Sequence, residues 1–275
     1  RRMTGSAGQR RVPRAFLEEL DVPLPPLPEQ RRIAAVLDKA DALRAKRREA
    51  IAKLDQLLQA VFLDMFGDPV TNPKGWPEIA FDELVESTKL GLVRSAAEFG
   101  RSDEFDVPYI RMDAISSNGQ LLAEKVQRTR ATPAESRDSS VAYGDLLFNT
   151  RTSEELVGKS AVVEFSEPWT FNNNLMRVRF NGRANSRYVL RYLLSRRGRT
   201  ELGNRKSGTT NVFAIYYKDL RSLPVVVPPR ALQDRFATIA SQIWAKSILC
   251  HSQTSEFARL SQSLQAAAFS GALVQ

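Results

Sequence analysis

Arginine side chains are concentrated between residues 177 and 199, where eight arginines occur without a single acidic residue. Guanidinium groups bind phosphates through paired hydrogen bonds, so an unopposed run of them predicts a surface for a polyanion. The candidate phosphate-binding residues are Arg177, Arg179, Arg183, Arg187, Arg191, Arg196, Arg197 and Arg199, together with Lys206. A solvated basic face would have the same composition, so both interpretations stay open.

Three short segments, residues 127–132, 149–153 and 171–174, together contain arginine, asparagine, glutamine and threonine. These side chains have the donors and acceptors that read base edges in the major groove of DNA. The candidate base readers are Arg128, Arg130, Asn149, Arg151 and Thr152, and further candidate DNA contacts are Lys159, Asn173 and Thr209. Ordinary polar turns are the alternative interpretation of each segment.

Motifs for catalysis are weak throughout the chain. The single cysteine, Cys250, excludes an intramolecular disulfide and a cysteine-based zinc cluster, and His251 is the one histidine. The sequence DVPY at 106–109 resembles the Asp-Pro-Pro-Tyr element of amino-methyltransferases, but valine replaces the first proline and no glycine-rich cofactor loop is present. The sequence GKS at 158–160 resembles the end of a P-loop, but Ser153 stands where the first glycine is required.

Nuclease chemistry is also poorly supported. Restriction-type nucleases commonly need an acidic residue two positions before a catalytic lysine, and none of the ten lysines has one. The sequence therefore predicts a binding protein without catalytic residues or a metal site.

The length and composition indicate a globular protein with two folding units. The 275 residues are 43% hydrophobic and 26% charged, with a net charge of +9. This charge suggests a polyanionic partner. No apolar run is long enough to span a bilayer and no signal peptide is recognisable, so we expect a cytoplasmic protein.

An internal repeat organises the chain. Residues 1–66 align without a gap with residues 204–269 at an offset of 203. Each copy contains a short hydrophobic run, two prolines, a glutamine and a long helical pattern, as in Pro25–Arg32 and Pro228–Arg235. Because proline ends a strand and is tolerated where a helix begins, each copy predicts a β segment followed by a helix.

The two helical patterns are long enough for a coiled coil. A heptad grid starting at Ile33 places apolar residues at eight of ten a and d positions, and the same grid shifted by 203 also gives eight. Two ordinary amphipathic core helices are the alternative. The predicted helix–helix interface residues are Ile33, Val36, Leu43, Leu54, Leu57, Val61, Phe236, Ile239, Ile243, Phe257, Leu260 and Leu264.

Residues 67 to about 203 form a separate α+β unit between the repeats. Predicted strands lie at Val107–Met112, Ser140–Asn149, Lys159–Phe165 and Asn174–Phe180, separated by turn residues. A helix is predicted from Ser186 to Ser195, with Ser186 as the N-cap and with Arg187 and Arg191 on its outer face.

The combination resembles the specificity subunit of type I restriction-modification systems. The resemblance rests on the paired Pro-Pro-x-x-x-Gln-x-Arg helix starts, on GWP at 75–77 and on AAAFSGAL at 266–273. It implies an α+β fold in which a globular target-recognition domain is flanked by two long antiparallel coiled-coil helices. The implied boundaries are a tail of a preceding domain at 1–29, a spacer helix at 30–67, the recognition domain at 68–232 and a second spacer helix at 233–275.

The resemblance also implies a function and partners. A non-catalytic subunit would read one half of a bipartite target in double-stranded DNA and would bind methyltransferase (modification) and restriction subunits. This chain would hold no cofactor, whereas S-adenosylmethionine, ATP and Mg would be bound by the partner subunits. A natural half-subunit would pair with a second copy and read a palindrome; a fragment of a longer subunit, which the start in mid-motif favours, predicts an asymmetric target.

Two other functions are compatible with the sequence. The chain could be a coiled-coil assembly protein whose middle block binds protein, or a nuclease or methyltransferase subunit with an unrecognised active site. Salt-insensitive binding would indicate the first, because binding to phosphates weakens steeply with salt. Activity with S-adenosylmethionine or magnesium would indicate the second.

Overall fold

The computed structural model describes residues 12, 14–18, 25–100, 106–209 and 212–269, without the side chains of 16, 17, 209, 248, 249, 251–262 and 264–269. The α-helices are α1 (Arg14–Glu18), α2 (Leu27–Phe66), α3 (Pro133–Asp138), α4 (Ser186–Leu194), α5 (Arg196–Asn204), α6 (Tyr217–Leu220) and α7 (Arg230–Phe269). Short 3-10 helices lie at Phe81–Leu84, Met112–Ala114 and Ala123–Lys125. The described part of the chain therefore has two helices of 40 residues each, at the equivalent positions of the repeat.

The strands are short and lie between the two long helices. They are β1 (Glu78–Ala80), β2 (Val85–Leu90), β3 (Phe99–Gly100), β4 (Val107–Ile110), β5 (Gln127–Thr129), β6 (Leu146–Asn149), β7 (Arg151–Thr152), β8 (Ser160–Val162), β9 (Thr170–Phe171), β10 (Leu175–Phe180), β11 (Ser207–Thr209), β12 (Val212–Ala214) and β13 (Pro224–Val226). The mixture of helices and sheets confirms the α+β prediction.

The strands form four small sheets. Their orders are β1-β13, β2-β10-β6-β8, β11-β12-β7 and β3-β5-β4-β9. Every strand pairing is antiparallel except that of β4 with β9. An apolar core packs between strands of two sheets and consists of Ile110, Ala114, Ile115, Val141, Leu147, Ala161, Val163, Phe171 and Leu175.

The chain divides into two compact units. One contains Arg1–Leu54 and Ala245–Gln275, and the other is the globular unit Asp55–Trp244. The end of α2 and the start of α7 therefore belong to the globular unit, whereas the sequence placed the unit boundaries at 67–68 and 232–233.

Burial along α2 follows alternating steps of four and three residues. The positions in this pattern are half-buried or buried: Ile33, Leu37, Ala40, Arg44, Arg47, Ile51, Leu54, Leu58, Val61 and Met65. Three predicted interface residues, Val36, Leu43 and Leu57, are instead 46%, 38% and 49% exposed. The predicted heptad was wrong at these three positions, because it stepped by three where the buried face steps by four.

The start of α7 has the same pattern at equivalent positions. Its members are Phe236, Ala240, Ile243, Ser247 and Cys250, each 203 residues after Ile33, Leu37, Ala40, Arg44 and Arg47. The predicted interface residue Ile239 is half-buried. The side chains of Phe257, Leu260, Leu264 and His251 lie outside the described residues.

The repeated glutamine has the same structural role in both copies. Gln30 Nε2 donates to the carbonyl oxygen of Pro25 at 2.7 Å, and Gln233 Nε2 donates to that of Pro228 at 2.8 Å. Carbonyl groups that precede a helix need partners outside the helical ladder. The Pro-Pro-x-x-x-Gln motif therefore closes the turn that begins each long helix.

An aromatic cluster holds the two helix segments within the globular unit. Phe236 lies 5.6 Å from Phe62 and 5.5 Å from Phe66 between ring centroids, and Phe66 lies 4.8 Å from Tyr188. The hydroxyl of Tyr188 donates to the carbonyl oxygen of Val226, so α4 is also joined to β13. The end of α2 therefore packs against the start of α7 and against the sheet domain.

Helix α4 differs from its prediction in two ways. Its N-cap is Asn185, whose side-chain oxygen accepts from the backbone N of Arg187, and not Ser186. Arg187 and Arg191 were predicted on the outer face, but both are 9% exposed. The helix is buried on nearly every side, so its arginines had no exposed face to occupy.

Candidate nucleic-acid interface

Three loops meet at one side of the globular unit. The backbone N of Leu92 donates to Phe171 O at 2.7 Å, and that of Asn173 donates to Leu92 O at 3.0 Å. The backbone N of Thr150 donates to Asn174 O at 2.8 Å, which joins the third loop. We call residues 90–94, 149–153 and 172–174 the loop edge.

The β11-β12 hairpin extends the loop edge. Strand β12 pairs with β7, so that Phe213 lies opposite Thr152 and Ala214 lies opposite Arg151. The backbone N of Ile215 donates to Thr150 O at 2.9 Å. Pairing with β12 thus fixes the backbone of two predicted base readers, Arg151 and Thr152.

Arg151 is the predicted base reader with the freest side chain. It is exposed, and within the described part of the chain its guanidinium group makes no hydrogen bond or ion pair. Thr152 beside it is half-buried. Lys206, just before β11, donates from Nζ to Glu154 O at 3.2 Å, and the side chain of Thr209 lies outside the described residues.

Asn149 does not have the exposure that its predicted role requires. Its side chain is fully buried at the end of β6, and neither amide atom has a hydrogen-bond partner among the described residues. A base reader must reach a base edge, so the structure contradicts this prediction. Asn173 is half-buried in the loop edge, and its neighbour Asn172 is structural, since its Nδ2 donates to Tyr109 OH at 2.7 Å.

Arg128 and Arg130 are exposed on and just after β5. Arg128 Nη2 donates to Asp106 O at 2.5 Å, and the carbonyl oxygen of Arg130 accepts from Arg94 Nη2 at 3.0 Å. Because Arg94 is in the loop edge, this contact connects β5 to it. Lys159 is half-buried before β8.

The arginine run does not form the unopposed cluster that the sequence predicted. Carboxylates from distant segments pair with five of its members, at these distances: Arg177 with Asp145 at 3.9 Å, Arg179 with Asp145 at 2.8 Å, Arg183 with Glu83 at 3.3 Å, Arg187 with Glu164 at 2.9 Å and Arg197 with Glu78 at 2.7 Å. Folding thus neutralises charges that are unopposed in sequence. For these five residues the prediction of an unopposed phosphate-binding cluster was wrong.

Two members of the run have little exposure, since Arg177 is half-buried and Arg191 is buried. Arg177 donates to the carbonyl oxygen of Ser140, and Arg191 donates to Gln59 Oε1 at 3.3 Å. Burial lowers the pKa of both guanidinium groups. Arg196 and Arg199 are exposed and have no carboxylate partner among the described residues.

Two apolar residues of the loop edge were not predicted from the sequence as site residues. Leu90 is 54% exposed and Val93 is 72% exposed, on either side of Gly91. A Cβ atom on Gly91 would lie 2.0 Å from Phe171 O, so this glycine permits the close contact between the loops. The exposure of Leu90 and Val93 is a result of tertiary packing, so no local sequence pattern predicts it.

The described residues contain neither a cluster of metal ligands nor a membrane-spanning helix. No His, Cys, Asp or Glu side chains among them are grouped in threes as metal ligands would be. None of the described helices is long and apolar enough to cross a lipid bilayer.

Comparison with known proteins gives a consistent family. A family model, the Type I restriction modification DNA specificity domain, matches residues 2–53. The Type I restriction enzyme EcoKI specificity subunit of Escherichia coli (strain K12) is 23% identical over 290 residues, which cover 98% of this chain. The resemblance to type I restriction-modification specificity subunits is confirmed.

Other specificity subunits are similar over shorter or more divergent regions. The Type I restriction enzyme EcoEI specificity subunit of Escherichia coli is 57% identical over 37 residues, 14% of this chain and 6% of that protein. The crystal structure of a Type-I restriction-modification system S subunit from M. genitalium has a TM-score of 0.60 and 15% identity, over 94% of this chain and 66% of that one. The latter comparison establishes a shared fold. The chain spans 61% of the length of the EcoKI subunit.

Proposed function

We propose that this chain is a non-catalytic reader of DNA sequence that also serves as a scaffold in a type I restriction-modification complex. Its globular unit would recognise one half of a bipartite duplex target. The loop edge and the β11-β12 hairpin would contact bases, and neighbouring basic side chains would contact phosphates. The family resemblance and the net charge of +9 support this proposal.

The observation that carries the proposal is the position of Arg151. Its guanidinium group is exposed and unpaired among the described residues, although its backbone is held in a three-stranded sheet. Most other arginines of the globular unit are tied to carboxylates or carbonyl oxygens. An arginine with free donors on a fixed backbone is suited to bidentate recognition of guanine O6 and N7.

Replacement of Arg151 by alanine tests this role. We expect discrimination between a target duplex and a scrambled duplex to fall by about 1–3 kcal/mol, as measured by fluorescence anisotropy at fixed salt. The matched control is Arg235→Ala, which removes an exposed charge from α7. Equal losses of affinity on both duplexes for the Arg151 variant would show that the residue contacts phosphate or nothing, and not a base.

Arg187 has a different expected role from the one its sequence suggested. It was predicted to contact phosphate, yet its Nε donates to Glu164 and its Nη2 donates to Tyr143 OH at 2.7 Å. We infer that Arg187 stabilises the recognition domain and that its removal would lower stability before it lowered DNA affinity.

The two long helices would form the spacer of the complex as an antiparallel coiled coil. The matching burial pattern of α2 and α7 supports this arrangement, as does the contact of the end of α2 with the start of α7. The exposed residues Val36, Leu43 and Leu57 lie on one seven-residue spacing, in which Ala50 occupies the position between Leu43 and Leu57. We propose that this second apolar stripe contacts a methyltransferase subunit.

The chemistry would belong to the partners. Methyltransferase subunits would bind S-adenosylmethionine and restriction subunits would bind ATP and Mg, while this chain would hold no cofactor. Either a second copy of the chain or a second recognition domain would read the other half of the target.

A further inference from the structure

A cationic pocket lies in the globular unit and shares no residue with the loop edge. Its volume is about 530 Å³. It is lined by Asp55, Gln56, Gln59, Asn118, Arg191, Leu194, Arg196, Arg199 and Thr200. The end of α2 therefore forms one wall, and the junction of α4 with α5 forms another.

Arg191 lies in this pocket as a nearly buried cation that forms no ion pair with a described carboxylate. It is 9% exposed and has one hydrogen bond, to Gln59, with no carboxylate oxygen within 4.0 Å among the described residues. The equally buried Arg187, by contrast, has Glu164 at 2.9 Å. A buried charge is costly unless an opposite charge compensates it. Burial lowers the pKa of Arg191, and the nearby carboxylate of Asp55 offsets this lowering only in part. The remaining donors of Arg191 thus point to an anionic ligand.

The rim of the pocket adds more positive charge. Arg196 and Arg199 are exposed and lack carboxylate partners among the described residues. The one acidic residue of the lining, Asp55, accepts a hydrogen bond from Asn118 Nδ2 at 3.0 Å. Three arginines against one aspartate leave the lining with a formal charge of +2.

The remaining lining residues indicate which kind of anion fits. Leu194 is the apolar member, and the others are amides and a threonine hydroxyl. Protein interfaces are anchored by buried aromatic and aliphatic side chains, which this lining does not provide. Arginine, asparagine, glutamine and threonine are instead the side chains that bind the phosphates of DNA.

We propose that the pocket formed by Arg191, Arg196 and Arg199 binds a phosphate group of the DNA backbone. The inference rests on the proposed DNA-reading function and adds a sequence-independent contact to it. The contact joins the recognition domain and the end of the spacer helix to the same phosphate. It would fix the register of the duplex while the loop edge reads bases.

The test is the salt dependence of DNA binding by the double variant Arg196→Ala/Arg199→Ala of the full chain. Loss of one phosphate contact should reduce the slope of log affinity against log salt by about 0.9, equally for target and scrambled duplexes. The charge-matched control, Arg48→Ala/Arg235→Ala, removes two exposed arginines from α2 and α7 and should keep the wild-type slope. Phosphate-ethylation interference provides a second readout, because the pocket variant should become insensitive to ethylation at one phosphate.

The outcomes separate this inference from the proposed function. An unchanged slope with an unchanged interference pattern would overturn the phosphate site, even if the wild-type chain recognises a specific sequence. Lost binding to the methyltransferase subunit with an unchanged slope would overturn it in favour of a carboxylate from a protein. A reduced slope in a chain without sequence preference would support the pocket and refute the proposed function.

Discussion

Replacing Leu58 by alanine tests which side of the first long helix is packed. Leu58 is 1% exposed, whereas its neighbour Leu57, a predicted interface residue, is 49% exposed. Both leucines lie in the globular unit and in the same helical turn. The pair therefore offers the same chemical change on two sides of one helix.

The expected losses of stability differ because the two sites differ in burial. Leu58→Ala should lower the free energy of unfolding by about 2–5 kcal/mol, since it removes buried methyl groups and leaves a cavity. Leu57→Ala removes a side chain that is already half in water and leaves no enclosed cavity. Its loss should be about 1 kcal/mol or less, partly offset by the higher helix propensity of alanine.

The assay is urea unfolding followed by circular dichroism, with both variants compared at a common m value. Repeating it at two protein concentrations checks that the same oligomeric state is compared. Equal losses, or a larger loss for Leu57→Ala, would refute the four-and-three burial pattern and restore the pattern that the sequence suggested.

Two further predictions concern the recognition domain. Gly91→Ala should destabilise the chain by about 1–3 kcal/mol, because the added Cβ would lie 2.0 Å from Phe171 O. The control Gly182→Ala places its Cβ in open space and should be nearly neutral. Similar melting temperatures for the two variants would contradict this prediction. Burial raises the pKa of Glu164 in the folded chain, so the folded state binds this proton more tightly than the unfolded state does. The contribution of Glu164 to the free energy of unfolding should therefore fall as pH rises from the usual glutamate pKa through the raised pKa. A difference in melting temperature between wild type and Glu164→Gln that does not change with pH would contradict the raised pKa.

The long helices were predictable because their signals are periodic and repeated. The predicted helix starts, at 30 and 233, lie three residues inside the observed starts at Leu27 and Arg230. The buried side of α2 was not predictable from its own sequence, because leucines occupy both 57 and 58. Tertiary packing decides which of them is covered.

Strands were located correctly in part. The predicted strand Ser140–Asn149 is reduced to Leu146–Asn149, since Gly144 has a φ of 88° and forms a turn before the strand. Such a turn is compatible with the sequence but is not required by it.

The arginine run shows the limit of reasoning from local charge. Between 177 and 199 no acidic residue occurs, yet Asp145, Glu164 and Glu78 reach the run from other segments. Ion pairs between distant segments are a property of the fold. The prediction of Arg151 as a DNA contact rested on the composition of its loop. The exposure of the Arg151 side chain could be known only from the folded structure.

The most direct test of the central claim is a methylation map. The chain would be co-expressed with its methyltransferase subunit in a host without adenine methylation, and N6-methyladenine would be located across the genome. We predict methylation at a single split motif that requires this chain, with relaxed specificity in one half of the motif for Arg151→Ala. A stable complex of the two proteins that methylates no defined motif would contradict the assignment of this chain as the DNA reader.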